Sequence, residues 1–214
     1  MRLTSCLAAL AIYAMAGSAI AASLKVGPLA PADREDAATY YTNGSQLLKG
    51  IEYPDEYGNA RIFAFGASKD GPSVDDKSYV SLHAYGLLAD HGGYLTKWEI
   101  KDTNGTGLCG LQLLMPLVNV IDAGDGNALV TVPYWIACDG LDGTVVKLIM
   151  VYKDKKYAIR GNLPNQDTDD LYSKPGDNFK ELPAVVQKTA LAYYAKVEAA
   201  AKKAANWTDP HEAQ

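Results

Sequence analysis

Histidine, phenylalanine and cysteine each occur only three times in 214 residues, and no long apolar run follows the first 22 positions. The three histidines, His83, His91 and His211, sit in unrelated segments, and no HExxH is present, so a zinc-peptidase reading has no motif. No Ser stands in a nucleophile-elbow pattern, and no Gly-rich phosphate loop follows a strand and opens a helix. A catalytic triad assembled from distant segments stays open, because sequence order does not constrain one. Twenty basic residues stand against 25 acidic ones, and they are scattered rather than grouped. That balance argues against nucleic acid and anionic membrane surfaces as partners. The absence of a second apolar run leaves the mature chain without a membrane span.

What the chain does have begins at its start. Arg2 precedes a weakly apolar run from Cys6 to Ala16, followed by Gly17-Ser-Ala-Ile-Ala-Ala22. A charged start, a short apolar middle and small residues before a cleavage point near Ala21 or Ala22 have the pattern of a signal peptide over residues 1–22, and a periplasmic or secreted location follows. Cleavage would remove Cys6 and leave Cys109 and Cys138, an even pair in an oxidising space, which predicts one disulfide. Closing a loop of about 30 residues contributes roughly 3 to 4 kcal/mol in the chain-entropy model. Residues 23–206 are then read as one β-rich domain and residues 207–214 as a flexible tail, since no Pro/Ser/Gly-rich linker divides the chain.

The stretch Val118 to Gly161 reads as a meander of three antiparallel strands, with Ala128 to Ala137 running up to Cys138, then Val145 to Tyr152, then Tyr157 to Gly161. Polar turns at Asp122–Asn127, Asp139–Gly143 and 153–156 separate them. Before the meander, period-two alternation over Ser78–Gly86 and Tyr94–Ile100, joined by Asp90-His-Gly-Gly93, predicts a hairpin. Arg61 to Phe65 predicts a short strand, and Gly66 to Asp76 a polar connection. Cys109 opens a strand over Gly110–Met115 that Pro116 ends. Asp33 is expected to cap a short helix through Ala37, Tyr40 and Tyr41. Asn165 to Asn178, with four Asp, reads as a loop. From about 181 to 205 the Ala, Lys, Glu and Tyr composition, with Pro183 in the first turn, predicts a long helix that frays after Ala200. Seven or eight strands joined by short turns indicate a mainly β (α+β) fold, an antiparallel sheet, sandwich or partial propeller-like meander with the C-terminal helix packed on it.

Two groups of residues point to binding. Asp122, Asp125 and Asn127 place oxygens at short spacing before a strand, as calcium loops do, although Asp, Asn and Gly are also simple turn formers. Tyr79, Tyr85, Tyr94, Trp98, Tyr134, Trp135 and Tyr152 fall on predicted strands, and exposed Tyr and Trp supply rigid contact area. Tyr134 and Trp135, with Asp139 and Asp142 in the next turn, are the binding candidates. The same carboxylate pairs, Asp122 with Asp125 or Asp139 with Asp142, would have to act as acid and base if the protein were a glycoside hydrolase.

The order of a Trp98-Glu-Ile strand, Cys109, an Asp-Gly turn, a strand ending in Cys138, Lys147-Leu-Ile-Met150, Lys156-Tyr-Ala-Ile-Arg-Gly161 and Phe179-Lys-Glu-Leu-Pro183 resembles a group of bacterial exported proteins described as surface polysaccharide biosynthesis proteins. The resemblance covers about residues 98–194. It includes an Asp/Gly turn similar to that of FG-GAP repeats, shortened here to Asp122-Ala-Gly-Asp125-Gly126, and it implies export and a disulfide but no catalytic residue. The expectation is an envelope protein that binds a protein or glycan without catalysis, for example an inhibitor or immunity protein occluding its target through acidic loops at 139–142 and 167–170. A polysaccharide-processing hydrolase or a biosynthesis accessory protein is the alternative.

Overall fold

A computed structural model of the chain describes residues 24–41, 44–70, 78–104, 108–138, 143–166 and 170–210. Two antiparallel sheets are stacked face to face. The first runs, in spatial order, β1 (Gly27–Pro28), β2 (Ser45–Pro54), β3 (Ala60–Ser68), β4 (Ser81–Asp90) and β5 (Gly93–Thr103). The second runs β11 (Tyr172–Pro175), β10 (Lys155–Leu163), β9 (Thr144–Tyr152), β8 (Ala128–Cys138) and β6 (Cys109–Leu113), with β7 (Asn119–Asp122) paired to the first half of β8. Helix α1 (Pro31–Ala38) covers the outer face of the first sheet and α2 (Ala184–Ala204) that of the second.

Period-two side-chain alternation builds these layers. On β3, Phe63 and Phe65 point between the sheets while Ile62 and Ala64 meet α1 and Tyr41 on the outside. On β8, Val130, Val132 and Tyr134 point between the sheets, whereas Leu129 and Trp135 pack under α2. Both faces of these strands are buried, which is why their sequences are nearly continuous apolar runs. Helix α2 buries Val186, Ala190, Tyr193, Tyr194, Val197 and Ala201, a stripe at three- and four-residue spacing.

The expected meander, the hairpin across His91-Gly92 and the C-terminal helix are all present. Five expectations change. Ser45–Pro54 is a ten-residue strand where none was expected, because Lys49, Gly50 and Glu52 interrupt its apolar pattern. Strand β3 continues through Gly66 to Ser68, since Gly66 lets the Tyr41 ring lie against the backbone, where a Cβ would come within 2.3 Å of it. Within the expected loop 165–178, Tyr172–Pro175 forms β11, and Asp33 lies inside α1 with no side-chain cap. The C-terminal turns do not fray at Trp207: its indole N–H donates to the Pro164 carbonyl at 2.7 Å and Lys202 sits over its ring. The remaining tail, 211–214, and the turn 139–142 lie outside the described residues.

The disulfide joins Cys109 to Cys138, directly opposed across β6 and β8. At the other sheet, Trp98 on β5 fills the space above Gly86 on β4, beside a register skip between Gly86 and Leu87. A Cβ on Gly86 would lie 2.1 Å from the indole. Gly86→Ala is therefore expected to destabilise the fold by about 1 to 3 kcal/mol through overpacking, and Cys138→Ser by about 3 kcal/mol through the freed unfolded chain. Urea unfolding midpoints of the oxidised protein check both.

Candidate functional site

The two sheets are unequal in width. The first ends at β5, whereas the second continues past β9 to β10 and β11. Among the described residues, the inward-facing side chains of β10 and β11 therefore meet no opposing strand, and an open groove of about 620 Å³ lies between the β5 edge and the floor formed by β9 and β10. Tyr157 packs toward α2 with Ile159 and Leu163, so Lys156, Ala158, Arg160 and Asn162 take the groove side of β10. The rim is held in place where Gly176 N–H donates to the Ala158 carbonyl at 2.8 Å and the Asn178 side chain to the Lys156 carbonyl at 2.8 Å.

Strand register lines up charge in this groove. Lys174 on β11 is directly opposite Arg160 on β10, Arg160 is opposite Lys147 on β9, and Lys147 is opposite Tyr134 on β8. Directly opposed residues project from the same face, so three cations stand in a row at the strand spacing of about 4.8 Å. Like charges in this position repel one another. Among the described residues only Lys147 is countered, by Asp102 on β5 at 2.7 Å, and the Tyr134 hydroxyl donates to the same carboxylate. Lys101 pairs with Glu99 at 2.7 Å and Lys156 donates to the Glu99 carbonyl at 3.1 Å. Among the described residues neither Arg160 nor Lys174 meets a carboxylate within ion-pair distance. Lys147, Lys156 and Arg160 stand on the groove side against Asp102 and Asp177, whereas Lys101 at the rim turns its side chain to Glu99 on the His83 face of β5.

Burial works against an ionised Asp102, but the hydrogen bonds from Lys147 and Tyr134 outweigh it and hold the carboxyl below its usual range. Burial and that same bond to Asp102 push the Tyr134 phenol up. Both residues are therefore locked in their roles, the acid charged and the phenol a donor, at neutral pH.

The residues expected to act fall elsewhere. Trp135, 9 % exposed, faces α2, while its neighbour Tyr134, with no exposed surface, faces the other way and brings only its hydroxyl to the groove floor. The strand aromatics as a whole form no common face: Trp98 and Tyr134 lie between the sheets, Trp135 and Tyr152 under α2, and Tyr85 and Tyr94 beside α1. Alternation separates neighbours that the sequence sets side by side. Asp139 and Asp142 lie outside the described residues, as do 167–169.

In the 122–127 loop the carboxylates serve the loop itself. Asp122 accepts from the backbone N–H groups of Gly124 at 2.7 Å and Gly126 at 3.0 Å, and both glycines have left-handed φ of 96° and 84°. Asp125 accepts from Asn127 N–H at 3.0 Å and from the Tyr152 hydroxyl at 2.6 Å. Burial opposes the charge on Asp125, but the Tyr152 and Asn127 bonds prevail and lower its pKa. A general acid needs the opposite shift. No cluster of three or more His, Cys, Asp or Glu able to hold a metal occurs among the described residues. His83, with a pKa lowered by partial burial and Lys101, stands edge-on to Tyr85 at 6.5 Å.

Arg160 and Lys174 were invisible as site residues because the cations come from three separate strands. The alternation Lys156-x-Ala158-x-Arg160-x-Asn162, polar opposite the apolar Tyr157, Ile159 and Leu163, was the available signal. Comparison with protein-family models, curated proteins and solved structures returns no match to this chain. No helix among the described residues is long and apolar enough to cross a membrane.

Asp102→Asn leaves Lys147 and the buried Tyr134 hydroxyl without their charged partner, and is expected to cost about 1 to 3 kcal/mol at pH 7. The folded-state pKa of Asp102 is depressed, so its contribution is present above the unfolded value near 4 and is lost as pH falls through the folded one. Urea unfolding should show the gap between wild type and variant closing below about pH 4.

Proposed function

We propose that this is an exported, non-enzymatic binding protein of the bacterial envelope whose working surface is the groove beside β5, and that its ligand is acidic. The observation that carries the reading is the Lys174, Arg160, Lys147 row, three opposed cations of which, among the described residues, one has a counterion. Such a row is unfavourable unless something anionic completes it. The leader-like N-terminus supports export, and so does the disulfide, which belongs in an oxidising compartment. Occlusion of a partner remains the mode of action, as for an inhibitor or immunity protein, but the described surface that would do it is basic, whereas acidic loops were expected. The polysaccharide role implied by the family resemblance is tested by the same measurement through its glycan arm. Neither a hydrolase nor a calcium site gains support from the 122–127 loop, whose carboxylates are already engaged.

The test is surface plasmon resonance of the mature protein on immobilised polyglutamate and polygalacturonate, with dextran as the neutral control. Binding to at least one acidic polymer is expected, weakening as salt rises and falling at least tenfold in Arg160→Glu, about 1.4 kcal/mol. Equal binding to dextran, or an Arg160→Glu variant that binds like wild type, overturns the proposal.

A further inference from the structure

The geometry points to an extended acidic polypeptide segment as the occupant of the groove, adding to the outer edge of β5 as a further strand of the first sheet. This rests on the reading of the groove as a binding surface and names its ligand. Strand β5 is eleven residues long and pairs with β4 alone; no described strand lies along its other edge. The edge is already in use as an acceptor, since the Lys156 ammonium donates to the Glu99 carbonyl at 3.1 Å. Glu99 thus directs its backbone groups outward, and by two-residue alternation Lys101 and Thr103 do the same. An incoming strand would bring an N–H to that carbonyl and release Lys156.

A strand placed about 4.8 Å beyond β5 lies over β10. Every second side chain of that strand points down onto the groove floor. There it meets Lys156, Ala158 and Arg160 in turn, two cations with the small Ala158 between them, and Lys174 lies opposite Arg160 one strand further out. Acidic side chains at alternate positions match this floor, and the added backbone fills the place where the narrower sheet stops. A glycan could meet the cations but does not carry N–H and C=O groups at the two-residue repeat that the β5 edge presents. A second copy of this chain is a poor occupant: its β5 offers Lys97 and Lys101 on one face and Trp98 and Ile100 on the other, neither of them an alternating acidic row.

The experiment is calorimetric titration of the mature protein with a capped decapeptide of alternating Thr and Glu, with two isomers of it N-methylated on all Glu or on all Thr residues, and with oligogalacturonate. In a strand docked with its Glu side chains down, the N–H groups of one residue type face β5 and those of the other face solvent. The expected result is that the parent binds, one methylated isomer binds like the parent and the other loses at least tenfold, while Arg160→Gln and Arg160→Glu both weaken the parent. Two methylated isomers that bind alike, or oligogalacturonate binding without peptide binding, overturn strand addition and leave the acidic-ligand reading standing. Failure of every acidic ligand, or parent binding that is unchanged in both Arg160 variants, overturns both.

Discussion

Burial of β8 on both faces, and of β9 on its face toward α2, is the constraint on which the rest depends. Val132 and Tyr134 look into the space between the sheets while Leu148, Met150 and Leu129 look toward α2, and each of these side chains is shut off from water. At about 25 cal/mol per Å² of apolar surface removed from water, such strands dominate the stability of a domain this size. They also demand two covers, the first sheet on one side and α2 on the other. The disulfide between β6 and β8 and the Trp207 anchor act at the margins of this arrangement.

The covers do not match in extent. Helix α2 spans the second sheet as far as β10, with Tyr157, Ile159 and Leu163 buried beneath it. The first sheet stops at β5. The inward face of β10 is consequently wet, and its residues are those a wet face tolerates: Lys156, Ala158, Arg160, Asn162. Charges that would be prohibitive in the inter-sheet core are admissible one strand further out. Asp102 marks the boundary, ionised and paired with Lys147 where solvent begins, with Tyr134 reaching it from the dry side.

The polar turns at the other end of the sandwich have a different character. Asp55, Asp122, Asp125 and Asp154 accept from backbone amides, from Tyr152 and from Arg61. Arg61 joins the Asp55 turn to the 153–154 turn with 3.2 and 3.5 Å ion pairs. Carboxylates in these places hold turns together, which is why Asp/Gly spacing resembling a calcium loop need not mean a calcium site. Their oxygens are engaged by backbone amides of the same turn or by Tyr152 and Arg61 from the neighbouring strands.

The amino-acid sequence by itself determined the strand-rich class, the meander from Ala128 to Gly161, the Gly93 hairpin, the C-terminal helix and the disulfide partners, because alternation, turn residues and helical spacing are local properties. It did not reveal β2, whose pattern Lys49 and Gly50 break and whose pairing with β3 restores it. The candidate site was hidden for a related reason. Alternation says which face a residue takes, but not what lies beside it or opposite it. That Lys147, Arg160 and Lys174 stand in one row, that Tyr134 and Trp135 part company, and that the first sheet is too narrow to cover β10 were decided only by long-range pairing, where register and sheet width are set by the packing of the whole chain.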